Sequence, residues 1–405
     1  MDRVVVTGLG PVSSIGIGVA DFGRGLRAGR IGTSEIAGFD STGFPYVHGG
    51  EVHGFAPQAM VRRVDPASWG RTSLFAAAAA RLAVDDAGLG MGDVARDRIG
   101  AVVGTTSGES QVVEALTAQQ VAGGFEALDP KLVELVPAAR LAHAVSEELD
   151  ASGPSITITT ACSASNYALA YAYEHLCSGS ADVMVAGGAD SVCRWAHAGF
   201  YRMGALAERA CSPFDRDRSG ILTGEGGAAL VLETFEHARA RGARIYAEML
   251  GYGLNCDAHH MVAPNQDDIA ECVRQAHRSA GVAPGDIDYI CAHGTGTRAN
   301  DLVEARAIRD VFGDRPPPVS SIKSMLGHTM GAASGFGAIA STLAIADGFL
   351  PPTVNWRNQD PDMPWLDPVA NVARTARVRT VQNNGFAFGG NNAITIFGAM
   401  DEVRA

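Results

Sequence analysis

Cys162 stands where the stretch Ile156-Thr-Ile-Thr-Thr-Ala gives way to Ser-Ala-Ser-Asn and an Ala- and Tyr-containing segment. A buried strand should therefore end, and a helix begin, close to the sulfur. A helix N-terminus offers unpaired N–H groups and the positive end of its dipole, and both favour thiolate over thiol. The small neighbours Ala161, Ser163 and Ala164 leave room for an acyl group. A Cys in such a place is otherwise a buried, inert thiol, so what decides its reading lies downstream.

Two later segments also place reactive side chains just past a strand. Ile290-Cys-Ala-His293-Gly-Thr295-Gly-Thr297-Arg-Ala-Asn-Asp301 begins at a strand end and passes through a Gly/Thr loop into a helix. His293 should lie at the carboxyl end of its strand, where open α/β sheets gather ligands. Thr295 and Thr297 either brace the loop or donate to a bound amide. The strand Val319-Ser-Ser-Ile delivers Lys323-Ser-Met-Leu-Gly-His328. A Lys beside a buried apolar run needs a carboxylate or carbonyl partner, and Glu304 is available. Near the end, Asn384-Gly-Phe386-Ala-Phe388-Gly-Gly reads as a glycine-rich turn able to bring a backbone N–H against a reacting carbonyl.

The elements that must position these groups follow an α/β pattern, with short apolar runs alternating with longer helical stretches. Strands are expected over 4–7, 99–103, 156–159, 183–185 and 228–232, then over 245–250, 289–292, 319–322 and 393–397. Helices are expected over 74–87, stopped by Gly88, and over 301–312, with Asp301 and Glu304 spaced like a capping box. The two strand sets suggest duplicated halves, 1–240 and 241–405, although no repeat is obvious in the residues.

Composition narrows the class further. With 46% hydrophobic and 19% charged residues over 405 positions, the chain has apolar surface for two cores. A net charge of -12 argues against nucleic-acid binding. Seven Cys, an odd number without a CxxC pair, suit reduced thiols in a cytoplasmic setting. Met1 and Asp2 lead straight into Arg3-Val-Val-Val-Thr-Gly, so a signal peptide is not expected. The apolar stretch 331–346 is too short to span a bilayer comfortably and reads as a buried helix. No metal-ligand spacing stands out.

Together these segments resemble the β-ketoacyl-acyl-carrier-protein synthase family, the Cys-His-His condensing branch of the thiolase superfamily. The resemblance rests on Thr160-Ala-Cys162-Ser-Ala, Ala186-Gly-Gly-Ala, Pro213-Phe-Asp-Arg-Asp-Arg-Ser-Gly, His293-Gly-Thr-Gly-Thr, Lys323-Ser-x-x-Gly-His328 and Gly385-Phe-Ala-Phe-Gly-Gly, in that order along nearly the whole chain. It implies a thiolase-like five-layered αβαβα fold with internal duplication, working as a dimer. It further implies a decarboxylative Claisen condensation. Cys162 accepts an acyl chain from the phosphopantetheine of an acyl carrier protein, with the N–H groups of Cys162 and Phe388 as oxyanion hole. His293 and His328 stabilise the enolate left by malonyl decarboxylation. Lys323 organises the site, through Glu304, with Asp301 in support. Thr295 and Thr297 hold the pantetheine, Phe388 gates, Ser107 and Phe386 line the acyl pocket, and no permanently bound cofactor is required. Carrier docking falls to Arg62 and Arg63, with Arg71 or Arg202 as further candidates.

Departures from the family pattern bear on substrate. Gly337 stands where the family often carries a Glu, Ser107 where an Ile or Gly is usual, and Asn391 where Thr follows the paired glycines. These changes point to a specialised polyketide or polyene chain, with housekeeping fatty-acid elongation as the alternative. A thiolase would need a second Cys late in the chain, and none follows Cys291. A non-catalytic chain-length-setting subunit would lack the reactive Cys, but such a paralog could be a heterodimer partner in place of a second identical copy.

Overall fold

The computed structural model describes residues 3–90 and 92–400. Met1 and Asp2, on which part of the N-terminal reading rests, lie outside the described residues. Two sets of five strands form the central structure. The first comprises β1 (Val4–Ser13), β2 (Ile99–Gly104), β3 (Ser155–Ile158), β4 (Val183–Asp190) and β5 (Gly226–Thr234). The second comprises β6 (Ala247–Cys256), β7 (Tyr289–Cys291), β8 (Val319–Ser320), β9 (Thr380–Phe386) and β10 (Asn391–Gly398).

Each set has the same spatial order, namely first, fifth, fourth, second and third strand. Each also has the same senses. The steps from first to fifth to fourth are antiparallel, and those from fourth to second to third are parallel. The sets join along their first strands, where residues 4–6 run antiparallel to 247–249. The duplication that the residues hide is therefore plain in the topology.

Six helices complete the layers: α1 (Arg71–Asp86), α2 (Arg140–Leu149), α3 (Ala164–Cys177), α4 (Gln266–Ala280), α5 (Arg298–Phe312) and α6 (Ala333–Asp347). α1 and α2 cover the outer face of the first strand set and α4 and α5 that of the second, while α3 and α6 lie side by side between the sets. This is the expected five-layered arrangement. Strands covered on both faces need no polar alternation, and β1 is buried along its whole length. The Ala-rich α1 lets two backbones meet. A Cβ on Gly8 or Gly10 would fall 2.1 or 1.9 Å from the carbonyl oxygens of Ala83 or Ala79.

Three elements differ from the sequence reading. α5 starts at Arg298 with Thr297 as its cap, the Thr297 hydroxyl accepting the Asn300 N–H, so Asp301 and Glu304 are not a capping box. Both carboxylates turn instead to the preceding loop, whose buried N–H groups need acceptors. α1 starts at Arg71, where the buried Glu109 carboxylate accepts the N–H groups of Thr72 and Ser73. Strand β9 was not expected at all, because Gln382-Asn383-Asn384 reads as polar loop. These three side chains are buried, and each amide is hydrogen-bonded.

The repeat surfaces again at two helix starts. β3 and β8 lead, respectively, to Thr160-Ala-Cys-Ser-Ala-Ser and Thr329-Met-Gly-Ala-Ala-Ser. Each segment makes one 3₁₀ turn, Ala161–Ser163 or Met330–Ala332, before α3 or α6. The first residue of each turn is left-handed, with φ of 48° at Ala161 and 52° at Met330. Cys162 and Gly331 thus hold equivalent places in the two halves.

Candidate active site

The turn after β3 carries Cys162 at the base of a cleft of about 400 Å³ that is also lined by His293, Thr295, Thr297, His328, Phe386 and Phe388. The first half supplies the sulfur, and the second supplies both imidazoles. The His293 and His328 rings stand edge to face with centroids 5.6 Å apart, and Phe386 packs on His293 at 5.7 Å.

The sulfur is held differently from the expectation. Burial pushes the Cys162 pKa up to about 11, with Lys323 pulling it down and Asp190 adding to the rise. The backbone N–H groups of Cys162 and Phe388 lie near the sulfur and favour its charged form, but burial outweighs them. The resting group is a thiol, not a thiolate. The same two N–H groups would serve equally as donors to an oxygen seated beside the sulfur.

Both imidazoles are neutral. Burial drives the His293 and His328 pKa values well below the ordinary 6.5, and the Lys323 charge drives them further. His328 is fixed at both ends of its backbone, donating from its N–H to Leu222 at 2.6 Å and accepting the Gly224 N–H at 2.8 Å. Its Nδ1 accepts the Met330 N–H at 3.0 Å, so the ring proton belongs on Nε2. The left-handed turn at Met330 is what aims that N–H.

Lys323 Nζ donates to the His293 carbonyl at 2.5 Å and lies 3.4 Å from His293 Nδ1. It is not hydrogen-bonded to Glu304, which corrects the expected pairing. Glu304 accepts the N–H groups of His293 and Gly294, each at 2.8 Å, and the Asn384 amide at 2.9 Å. Asp301 accepts the N–H groups of Phe214 at 2.8 Å and Gly296 at 3.1 Å, 3.7 Å from the buried Arg218. Thr295 and Thr297 touch hydroxyl to hydroxyl at 2.9 Å while lining the cleft.

Ser107, expected at the acyl pocket, and Arg62 and Arg63, expected at the carrier-docking surface, do not line the cleft. Ser107 instead donates its N–H to Asp190 at 3.2 Å. Arg62 pairs with Asp85 at 2.7 Å and Arg63 with Asp150 at 3.1 Å, so their charges are already partnered by local carboxylates. Arg71 is likewise held by the buried Glu225. Arg298, by contrast, is exposed and lines the cleft itself, and Arg202 is exposed in an adjoining groove.

Gly337 has a steric cause. A Cβ there would fall 2.3 Å from Asn383 Oδ1. The Asn383 amide donates to Asn166 Oδ1, the Ser334 carbonyl and the Thr395 hydroxyl, and so ties α3, α6 and β10 together. Sequence reasoning missed Asn166, Asn383, Asn384 and Asp190. The signal available was four polar residues within or beside otherwise apolar runs next to the recognised motifs.

Comparison with known proteins agrees with this architecture. Residues 1–238 match the model of the beta-ketoacyl synthase N-terminal domain, and residues 246–357 match that of the C-terminal domain. The chain is 37% identical to 3-oxoacyl-[acyl-carrier-protein] synthase 2 of Coxiella burnetii, covering 97% of this chain and 98% of that protein. It is 39% identical to Nodulation protein E of Rhizobium meliloti, covering 98% of each. Among solved structures, the ishigamide ketosynthase/chain length factor superposes with a TM-score of 0.97 at 51% identity, covering 99% of this chain and all of the other. A type II PKS ketosynthase, solved with its acyl-carrier protein and bound to the hexaketide, gives a TM-score of 0.91 at 32% identity, again covering 99% and 100%. A duplicated α/β scaffold that presents a thiol to two imidazoles is that of a condensing acyltransferase. The chain belongs to the beta-ketoacyl synthase family.

Proposed function

We propose that this protein extends a Cys162-bound acyl chain with malonyl units on an acyl carrier protein, in specialised polyketide or polyene biosynthesis. The observation that carries this reading is the pair of neutral imidazoles, His293 and His328, sharing one cleft with Cys162. In the first step the sulfur attacks a carrier thioester. The bond to pantetheine sulfur breaks, the Cys162 proton ends on the released pantetheine thiol, and the N–H groups of Cys162 and Phe388 hold the transient oxyanion. In the second step the malonyl group loses CO2, and the enolate oxygen is held by the two Nε2–H donors. The enolate carbon then attacks the Cys162 thioester, the bond from the acyl carbon to the Cys162 sulfur breaks, and the departing thiolate takes a proton from solvent to restore the thiol. Neutral donors suit this task because negative charge gathers on one oxygen that must not be protonated.

Thr295 and Thr297 face the path of a pantetheine arm, and Arg202 with Arg298 offers positive charge near its entrance. These arginines join Arg62 and Arg63 in our docking proposal, since an acidic carrier is best met by exposed cations beside the cleft. The specialised pathway is favoured by the 51% identity to the ishigamide ketosynthase/chain length factor, against 37% to 3-oxoacyl-[acyl-carrier-protein] synthase 2. Among the described residues, strand β3 pairs with β2 on one side only and exposes Ile156, so its free edge is the place where a second subunit, identical or paralogous, would extend the sheet. We place the protein in the cytoplasm, in keeping with the buried free thiols of Cys162, Cys211, Cys272 and Cys291.

Intact-mass measurement after incubation with a panel of saturated and polyunsaturated acyl-carrier thioesters tests the reading. Acylation at Cys162 with preference for unsaturated chains is expected. Exclusive use of saturated chains would favour fatty-acid elongation, and no loading would remove the enzyme reading altogether.

A further inference from the structure

Asp190 closes strand β4 and is almost wholly buried. The mechanism above gives it no task, yet its carboxylate accepts four hydrogen bonds. Oδ1 takes the Thr105 hydroxyl at 2.8 Å and the Ser107 N–H at 3.2 Å, and Oδ2 takes the N–H groups of Thr106 and Gly331, each at 2.7 Å. The carboxyl must be ionised to accept all four, since a proton would occupy one of its acceptor positions. Burial raises its pKa to about 6, which leaves it largely ionised at neutral pH.

The bond to Gly331 is the informative one. Gly331 is the second-half counterpart of Cys162. In the first half, the N–H of the elbow residue lies beside the sulfur, where it favours the charged form. In the second half, the same N–H is consumed by Asp190. The Gly331 carbonyl is held as well, by the Ser165 hydroxyl at 2.5 Å, three residues beyond Cys162 on the nucleophile's own helix. A Cβ at position 331 would fall 2.5 Å from the Thr105 backbone and 2.7 Å from Asp190 Oδ2, so no side chain fits. The residue immediately before it, Met330, supplies the N–H that fixes the His328 ring.

We propose that Asp190 is a positioning residue for His328: by occupying the unused second elbow, it locks Gly331 and thereby the Met330 N–H that orients the imidazole. Ser165 is the other jaw of the same clamp and registers His328 against the helix of Cys162. The assignment rests on the condensing reading, but it can fail independently of it.

The test separates the two half-reactions. In Asp190→Ala, the Gly331 N–H loses its carboxylate acceptor together with those of Thr106 and Ser107. Acyl loading of Cys162, followed by intact mass, should not fall by more than about threefold, since removing the Asp190 charge eases ionisation of the thiol. Malonyl-carrier decarboxylation should fall at least about tenfold, as should kcat for condensation, with KM for the carrier substrates little changed. Ser165→Ala, a milder change, should show the same selectivity at smaller amplitude, and it decides the matter if Asp190→Ala does not fold. Parallel loss of loading and decarboxylation would mark Asp190 as a general structural residue and overturn the proposal, as would wild-type decarboxylation in either variant. A wild-type protein that neither loads nor decarboxylates would instead defeat the condensing reading.

Discussion

Lys323 and Glu304 grip the His293 peptide from opposite ends: the ammonium donates to its carbonyl oxygen at 2.5 Å, and the carboxylate accepts its N–H at 2.8 Å. Neither touches the other with a hydrogen bond, yet each lies in the field of its partner. His293 owes its place to this pair more than to its own strand, which ends at Cys291. Lys323→Met removes one end. A lost charge-assisted bond in a buried site is worth about 1.5–3 kcal/mol, so malonyl decarboxylation should drop roughly ten- to hundredfold. Single-turnover acyl loading should drop less, through the lost pull of the Lys323 charge on the Cys162 thiol alone.

Direct removal of a donor should be costlier. His293→Ala and His328→Ala each take away one enolate donor, a loss of about 2.7–4 kcal/mol or roughly 10²–10³ in rate. Steady-state condensation measures this, and a variant retaining more than a tenth of wild-type turnover would argue that its imidazole is not at the reacting oxygen.

The buried thiol makes a statement about pH. With the Cys162 pKa pushed up to about 11, the thiolate fraction grows about tenfold with each pH unit through the neutral and mildly alkaline range. Iodoacetamide labelling of Cys162, followed by peptide mass, should rise steadily from about pH 7 to 9. A plateau below pH 8 would show an activated thiolate at rest.

The imidazoles make another. Both are neutral in the fold with pKa values well below 6.5, whereas an unfolded chain protonates them near that value. The unfolded state therefore binds more protons as pH falls through 6.5, and the stability these groups contribute above that pH is lost on acidification. Between pH 7.5 and 5.5, wild type should lose more melting temperature than the His293→Asn/His328→Asn double variant. Equal losses would place the acid sensitivity elsewhere.

At Gly337 the issue is space. Gly337→Ala brings a methyl group against Asn383 Oδ1 and forces apart the amide that ties α3, α6 and β10. Overpacking of this kind costs about 1–3 kcal/mol, visible in the midpoint of denaturant unfolding.

Much of this site could be read from the residues because its reactive side chains sit at strand ends. Cys162, His293 and Lys323 each follow a short apolar run, and such runs announce themselves. What could not be read was anything set by three-dimensional partnership. Glu304 was foreseen near Lys323, but its acceptor role toward the His293 N–H depends on α5 beginning earlier than the carboxylate spacing suggested. Helix-start dipole arguments favoured a thiolate, yet desolvation decides the matter, and burial depth is not a property of local sequence. β9 was hidden because three amides in a row look like solvent-exposed loop until each finds its partner in the interior. The duplicated elbow was within reach: Thr160-Ala-Cys-Ser-Ala-Ser and Thr329-Met-Gly-Ala-Ala-Ser align without gaps, but only the shared left-handed turn shows that the likeness has meaning.

The covalent linkage of two like halves also frees each from its twin. A chain holding one half alone would have to meet its own copy to enclose such a cleft, and every position would then be obliged to serve both roles at once. Once β5 runs on into β6 within a single polypeptide, sulfur can be kept on one side and discarded on the other, where glycine now lets the backbone close on a carboxylate. Asymmetry of chemistry on a symmetric frame is what tandem fusion makes possible, and separate expression of the two pieces should give fragments that are inert until mixed.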